Sequence, residues 1–167
     1  KNGISFVSDK IGWIAGYSGP APDKVLLLLT KDSGKTFEDK TTTLPSEFKS
    51  FEAAADTPIF FSDDFGIMPV KIFSKPVSYI FYTNKDGTED WKYNFAIKSI
   101  KGDNLLFSFY GGKNGYATDG ITLYSIKADT GTVSTIKTNM DFTDIKKIIF
   151  VNKNTGWIIT INHMYST

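Results

Sequence analysis

An all-β fold is what this sequence predicts, a β-propeller of about four four-stranded antiparallel blades with the last one incomplete. Three observations predict it. A Phe followed six residues later by a Gly and an apolar residue recurs at Phe6/Gly12-Trp13, Phe60/Gly66-Ile67, Phe109/Gly115-Tyr116 and Phe150/Gly156-Trp157. Each pair is followed by an apolar run that ends on a hydroxyl, at Thr30, Thr83, Ser125 and Ser166. No segment sustains an apolar period near 3.6, so no long helix is expected.

In the first unit, polar residues Ser8-Asp9-Lys10 separate two strands, and Gly12 opens the second. Val25 to Leu29 is apolar at every position, the pattern of a strand buried on both faces. A tight turn follows at Thr30-Lys31-Asp32-Ser33-Gly34-Lys35-Thr36-Phe37. Asp32 can accept backbone N–H groups of its own turn, Gly34 can take a positive φ, and Thr30 and Thr36 add hydroxyl bonds. Phe37 is placed to fold back onto the sheet. A fourth strand is expected over 36–40. Residues 46–55 are the one place where a helical turn is expected. The second unit repeats the plan around Phe60 and Gly66, with an Asp86-Gly87 turn and a fourth strand over 91–95. The third does so around Phe109 and Gly115, with a turn at Asp129-Thr130-Gly131 and a fourth strand over 132–136. The fourth stops after three strands, with His163 in a strand. The expected blades are 1–45, 46–95, 96–139 and 140–167, in one domain.

Composition excludes several function classes. The 167 residues are 41% apolar and 22% charged, the balance of a globular domain with its own core. The aliphatic run Val25 to Leu29 is far too short to insert in a bilayer. Net charge is +1, and every one of the 19 basic residues is Lys. Without Arg there is no bidentate fork for bases or carboxylates, and nucleic acid is not an expected partner. There is no Cys, hence no disulfide, thiolate site or Cys nucleophile. His163 is the only histidine, and packing or surface exposure is its expected role. No cluster calls for a metal and no loop for a cofactor, so none is expected. Asp63-Asp64 and Glu89-Asp90 are adjacent acidic pairs in turns, where solvated surface charge is the ordinary reading.

Thr30, Asp32, Gly34, Thr36 and Phe37 match the Asp-box pattern at every offset. With Phe6 and Gly12-Trp13, the first unit resembles the BNR/Asp-box repeats of propellers, and is especially similar to photosystem II stability/assembly-factor-like repeat proteins. The second unit carries an inserted residue in its box and the third lacks the aromatic. The resemblance implies that Asp32 is a folding device at the blade periphery. Sialidases, which also bear Asp boxes, hold substrate with an arginine triad that this chain lacks.

The expectation is therefore a non-catalytic binding or scaffold propeller of a secreted or cell-surface bacterial protein, meeting a protein or glycan. The alternatives are a glycan-active hydrolase of Asp-box type, or a fragment of a larger propeller that functions only in its parent. Lys1 opens the chain with neither an initiator Met nor a leader, which reads as a mature form or a piece. Homo-oligomers or the remainder of a longer chain could complete the ring. A ligand is expected on the face opposite the Asp-box turns, at Tyr17, Asp23, Lys24, Phe73 and Lys75. The loops there, 17–24 and 71–78, are the expanded ones, and Phe48, Phe51 and Phe95 are expected in the loops that join blades.

Overall fold

The computed structural model describes residues 2–17, 23–85 and 89–166. These form four antiparallel sheets in chain order, and the chain is a β-propeller. In the first sheet, β1 (Gly3–Phe6), β2 (Gly12–Gly16) and β3 (Lys24–Thr30) lie side by side. The expected fourth strand is broken into β4 (Glu38–Asp39) and β5 (Thr42–Thr43), both paired to β3. The Asp39 carboxylate makes the break by accepting the Thr41 N–H at 2.8 Å.

The second sheet is built on β8 (Phe65–Ile72) and β9 (Ser78–Lys85), which pair along their length. β6 (Ala53–Ala55) and β7 (Ile59–Ser62) share the inner edge of β8, and β10 (Lys92–Ile97) lies outside β9. The helical turn expected over 46–55 shrinks to a 3-10 turn, Ser46–Phe48. The three alanines after it are buried against β8 and complete a ladder, a tertiary gain that overrides their helix propensity. Phe95 is not in a joining loop. It is buried in β10, stacked on Phe81 at 4.5 Å.

The third sheet runs β11 (Leu106–Tyr110), β12 (Asn114–Thr118), β13 (Leu123–Lys127), β14 (Thr132–Ile136). The fourth has β15 (Ile145–Phe150), β16 (Gly156–Thr160) and β17 (Met164–Ser166). His163 sits in the turn before β17, not in a strand, and its backbone N–H donates to Thr160 Oγ1. The third strand of the second sheet runs past Thr83 to Lys85, and that of the third sheet past Ser125 to Lys127. The expected Asp86-Gly87 turn lies outside the described residues.

The Phe-to-Gly spacing has a direct cause. In each sheet the Phe pairs with its Gly across the first hairpin: Phe6↔Gly12, Phe60↔Gly66, Phe109↔Gly115, Phe150↔Gly156. The ring lies over the glycine. A Cβ added there would come within 2.8, 2.7, 2.5 and 2.4 Å of a ring carbon, in the same order. The aromatic covers the backbone that a side chain would otherwise shield.

Three apolar clusters fill the three seams between successive sheets. The first joins Trp13, Val25, Leu27 and Leu29 to Met68, Val70, Ile80, Tyr82 and Trp91. The second joins Ile67, Tyr79, Phe81 and Phe95 to Ala117 and Ile126. The third and smallest holds Phe142, Ile148 and Ile158 against Leu106 and Tyr116. Among the described residues no cluster joins the fourth sheet to the first. The consequence is visible in β3, where Val25, Leu27 and Leu29 are at most 1% exposed while Leu26 and Leu28 are only half-buried. Burial on both faces, expected there, occurs instead in β8 and β9, which have a sheet on either side.

Candidate functional site

The first-hairpin turns, and the described third-to-fourth-strand turns of the first and third sheets, lie at the same end of their strands. The 30–37 turn of the first sheet is the most fully bonded of them. Asp32 Oδ1 accepts the Thr36 N–H at 2.8 Å and the Thr30 hydroxyl at 2.9 Å, and Asp32 Oδ2 accepts the Thr36 hydroxyl at 2.7 Å. The Gly34 N–H donates to Thr30 Oγ1 at 2.8 Å. Gly34 takes φ +86°, and Ser33 also lies in the left-handed region, at +63°. Donors from Thr36 foremost, then Thr30 and Lys35, outweigh desolvation and pull the Asp32 carboxyl down to about 2. Both Asp32 oxygens are thus engaged within the turn. Phe37 is 42% exposed, and its ring tip comes close to Gly34. The turn is anchored sideways by Ser33, whose hydroxyl donates to the Asp9 carbonyl and whose N–H donates to the Lys10 carbonyl.

Where the turns of the first and second sheets meet, they enclose a cleft of about 340 Å³. Val7, Ile11, Trp13, Leu29 and Phe60 supply apolar lining, and Lys31, Asp63, Asp64, Asn84 and Glu89 supply polar lining. Its aromatic wall is rigid, because Trp13 and Phe60 each meet Trp91 edge-on at 5.7 Å. The rim is clipped by four charges. Lys31 pairs with Glu38 at 3.2 Å and with Glu89, and Lys40 pairs with Glu89 at 2.6 Å and Glu38 at 3.4 Å. Hydrogen bonds from Lys31 and Lys40 hold the Glu89 carboxyl below the usual carboxylate range, and bonds to Glu89 and Glu38 raise the Lys31 ammonium. Asp63 and Asp64, on the turn between β7 and β8, are exposed and enter no ion pair among the described residues. The sequence reads Asp63-Asp64 and Glu89-Asp90 as adjacent acidic pairs carrying solvated surface charge in turns. That reading missed the cleft because the lining comes from residues far apart in the chain.

On the opposite face the structure splits the expected binding residues into two groups. Tyr17 and Phe73 share Glu52: the Tyr17 hydroxyl donates to Glu52 Oε2 at 3.1 Å, and the Phe73 N–H donates to the Glu52 carbonyl at 2.9 Å. Phe73 and Lys75 line a shallow cleft of about 360 Å³ with Val77, Ile100, Lys101 and Asp103. The loop there is 73–77, shorter than expected, because Lys71 belongs to β8. Asp23 and Lys24 lie elsewhere, against β5. The Asp23 carbonyl accepts the Leu44 N–H at 2.7 Å, and Lys24 is the first residue of β3, paired with Thr43. Residues 18–22 of that expanded loop lie outside the described set.

One structured carboxylate on this face was not anticipated. Asp119 is 5% exposed. Its Oδ1 accepts the N–H groups of Ile121 and Thr122, and its Oδ2 those of Lys101 and the Tyr124 hydroxyl. Burial works to raise this carboxyl, but the donors prevail and hold it low. The Asp119-Gly120 dipeptide was the available signal, and the role is structural: it ties the 101 segment to the third sheet.

The sheet order and stacking find a counterpart among solved structures. YCF48 from Cyanidioschyzon merolae superposes with a TM-score of 0.55 at 15% identity, over 98% of this chain and 54% of that one. The likeness is one of fold. A second YCF48 structure, with a bound D1 peptide, gives a TM-score of 0.45 at 13% identity, over 99% of this chain and 62% of that one. The chain thus spans little more than half the length of the structures it matches. The propeller expected from the repeats and the likeness to YCF48 agree at the level of the fold. No family model and no curated protein matches the sequence.

Proposed function

We propose that this chain is a non-catalytic binding scaffold that takes a segment of another protein in the cleft between its first and second sheets. The cleft itself carries the reading. An apolar floor lies beneath a rim on which carboxylates outnumber cations, and Glu89 is already paired while Asp63 and Asp64 are not. A segment offering a lysine or arginine beside an apolar side chain satisfies both parts: the apolar group displaces water from Trp13 and Phe60, and the cation meets Asp63 and Asp64. The 30–37 turn, read as an Asp box, serves this by holding Lys31 and one wall of the cleft in place.

The glycan-hydrolase reading has one observation in its favour, three carboxylates lining a single cleft. Against it, Lys31 and Lys40 keep Glu89 ionised, which denies it the role of protonated acid. The remaining two are neighbours on one turn, not a pair flanking a bond.

Titration calorimetry with binders selected from a random peptide library tests the proposal. Peptides carrying Lys or Arg next to an apolar residue are expected. Asp63→Asn with Asp64→Asn should weaken them about tenfold, and Tyr17→Ala with Phe73→Ala should leave them within about twofold. The reverse pattern would move the site to the opposite face. Turnover on a glycan panel that Asp63→Asn or Asp64→Asn abolishes would overturn the non-catalytic reading.

A further inference from the structure

Phe60 lines two clefts. Beyond the one between the first and second sheets, a second of about 570 Å³ opens one seam further along the stack. Phe61, Ser62 and Phe65 line it from the second sheet, and Gly112 and Lys113 from the third. Phe60 packs in the first seam, while Phe61 and Phe65 pack in the second. The turn between β7 and β8 separates the two clefts, and it is low. Ser62 pairs with Phe65, so only Asp63 and Asp64 stand between them.

The second cleft repeats the chemistry of the first with the charge reversed. Its aromatic side is braced: the Phe61 ring stacks on Phe65 at 5.8 Å and meets Phe109 edge-on at 6.0 Å. Its other side is the first-hairpin turn of the third sheet. That turn comes so close that a Cβ at Gly112 would stand 3.2 Å from the Phe61 Cβ. Among the residues that line this cleft, Lys113 carries the one charge. It is exposed and, like Asp63 and Asp64, enters no ion pair among the described residues.

We propose that the partner segment lies extended across both clefts, passing over the Asp63-Asp64 turn, and that it is a dipolar stretch. An apolar residue meets Trp13 and Phe60, and a lysine or arginine meets Asp63 and Asp64. A second apolar or aromatic residue meets Phe61 and Phe65, and an aspartate or glutamate meets Lys113. This inference rests on the reading of the first cleft as the seat of a protein segment. The opposite charges fix which end lies in which cleft, so the order apolar, basic, apolar, acidic holds in either chain direction. Stacked sheets lie about 10 Å apart and an extended chain advances about 3.3 Å per residue, so the two apolar anchors stand about three residues apart.

Terminally blocked peptides, selected from a random library against the whole chain and titrated by calorimetry, test this. Those weakened by Asp63→Asn with Asp64→Asn are expected to carry that order, with anchors about three residues apart. Lys113→Glu in the protein, or lysine for the acid in the peptide, should each weaken binding about fivefold. Combining the two changes should restore most of that loss, a rescue that a merely structural effect of Lys113→Glu would not produce. Two glycines inserted between the peptide's anchors should weaken binding by at least as much. Binders that depend on Asp63 and Asp64 but are indifferent to Lys113→Glu and to their own acid confine the site to the first cleft, and overturn this proposal alone. If no binder responds to Asp63→Asn with Asp64→Asn, the reading of the first cleft falls and this proposal falls with it.

Discussion

Asp32 is a folding residue with a titration signature. Its carboxyl is drawn from the ordinary 3.8 to about 2 by donors that exist only in the folded turn. The unfolded chain therefore binds the proton more readily. The stabilisation is complete above about pH 4 and is lost as pH falls through about 2. Asp32→Ala should lower the melting temperature at neutral pH, leaving the Thr36 and Thr30 donors without their acceptor. The gap between wild type and variant should close as melting is followed from pH 7 down to pH 2. A gap of constant size would place the effect elsewhere. Glu89 behaves differently: its lowered pKa comes from an exposed lysine, Lys31, and a half-buried one, Lys40, at the rim, so that contribution fades with added salt.

At the scale of an element, β3 separates what composition suggests from what neighbours decide. Five consecutive apolar residues lie in it, yet only alternate ones are fully buried. Leu27→Ala empties a site with no exposure, in the first seam, and should cost about 2–5 kcal/mol. Leu28→Ala, one residue on and on the uncovered face, should cost less than about half as much in the isolated chain. Urea denaturation of both variants at low protein concentration checks this. Equal losses would mean that the outer face of the first sheet is covered after all.

At the scale of the whole molecule, each sheet depends on its immediate neighbours, and stability follows position along the stack. The second sheet is covered on both faces and contributes to two clusters. The fourth is covered on one face, by the smallest cluster, and its last strand β17 is exposed at all three positions. Hydrogen exchange followed by mass spectrometry should therefore find the slowest amides in β8 and β9, and the fastest strand amides in β17. Uniform protection across the four sheets would contradict this picture.

Local order was legible in the chain itself. The six-residue Phe-to-Gly spacing encodes a hairpin whose register places the ring on the glycine. The 30–37 turn closes through bonds no longer than four residues in sequence, and β14 spans the strand expected there. These features rest on contacts between near neighbours, which a sequence states directly. Tertiary structure alone decided the rest. Ala53 to Ala55 became a strand because β8 offered a ladder, and Phe95 went inside because Phe81 offered a stacking partner. β8 and β9, not β3, received two-sided burial because only the middle sheets have two neighbours. The cleft formed because stacking brought Val7 to Trp13, Leu29 and Lys31, Phe60 and Asp63, and Asn84 and Glu89 to one seam. Each of these outcomes depends on which sheet lies against which, a long-range relation that periodicity and spacing within one segment do not contain.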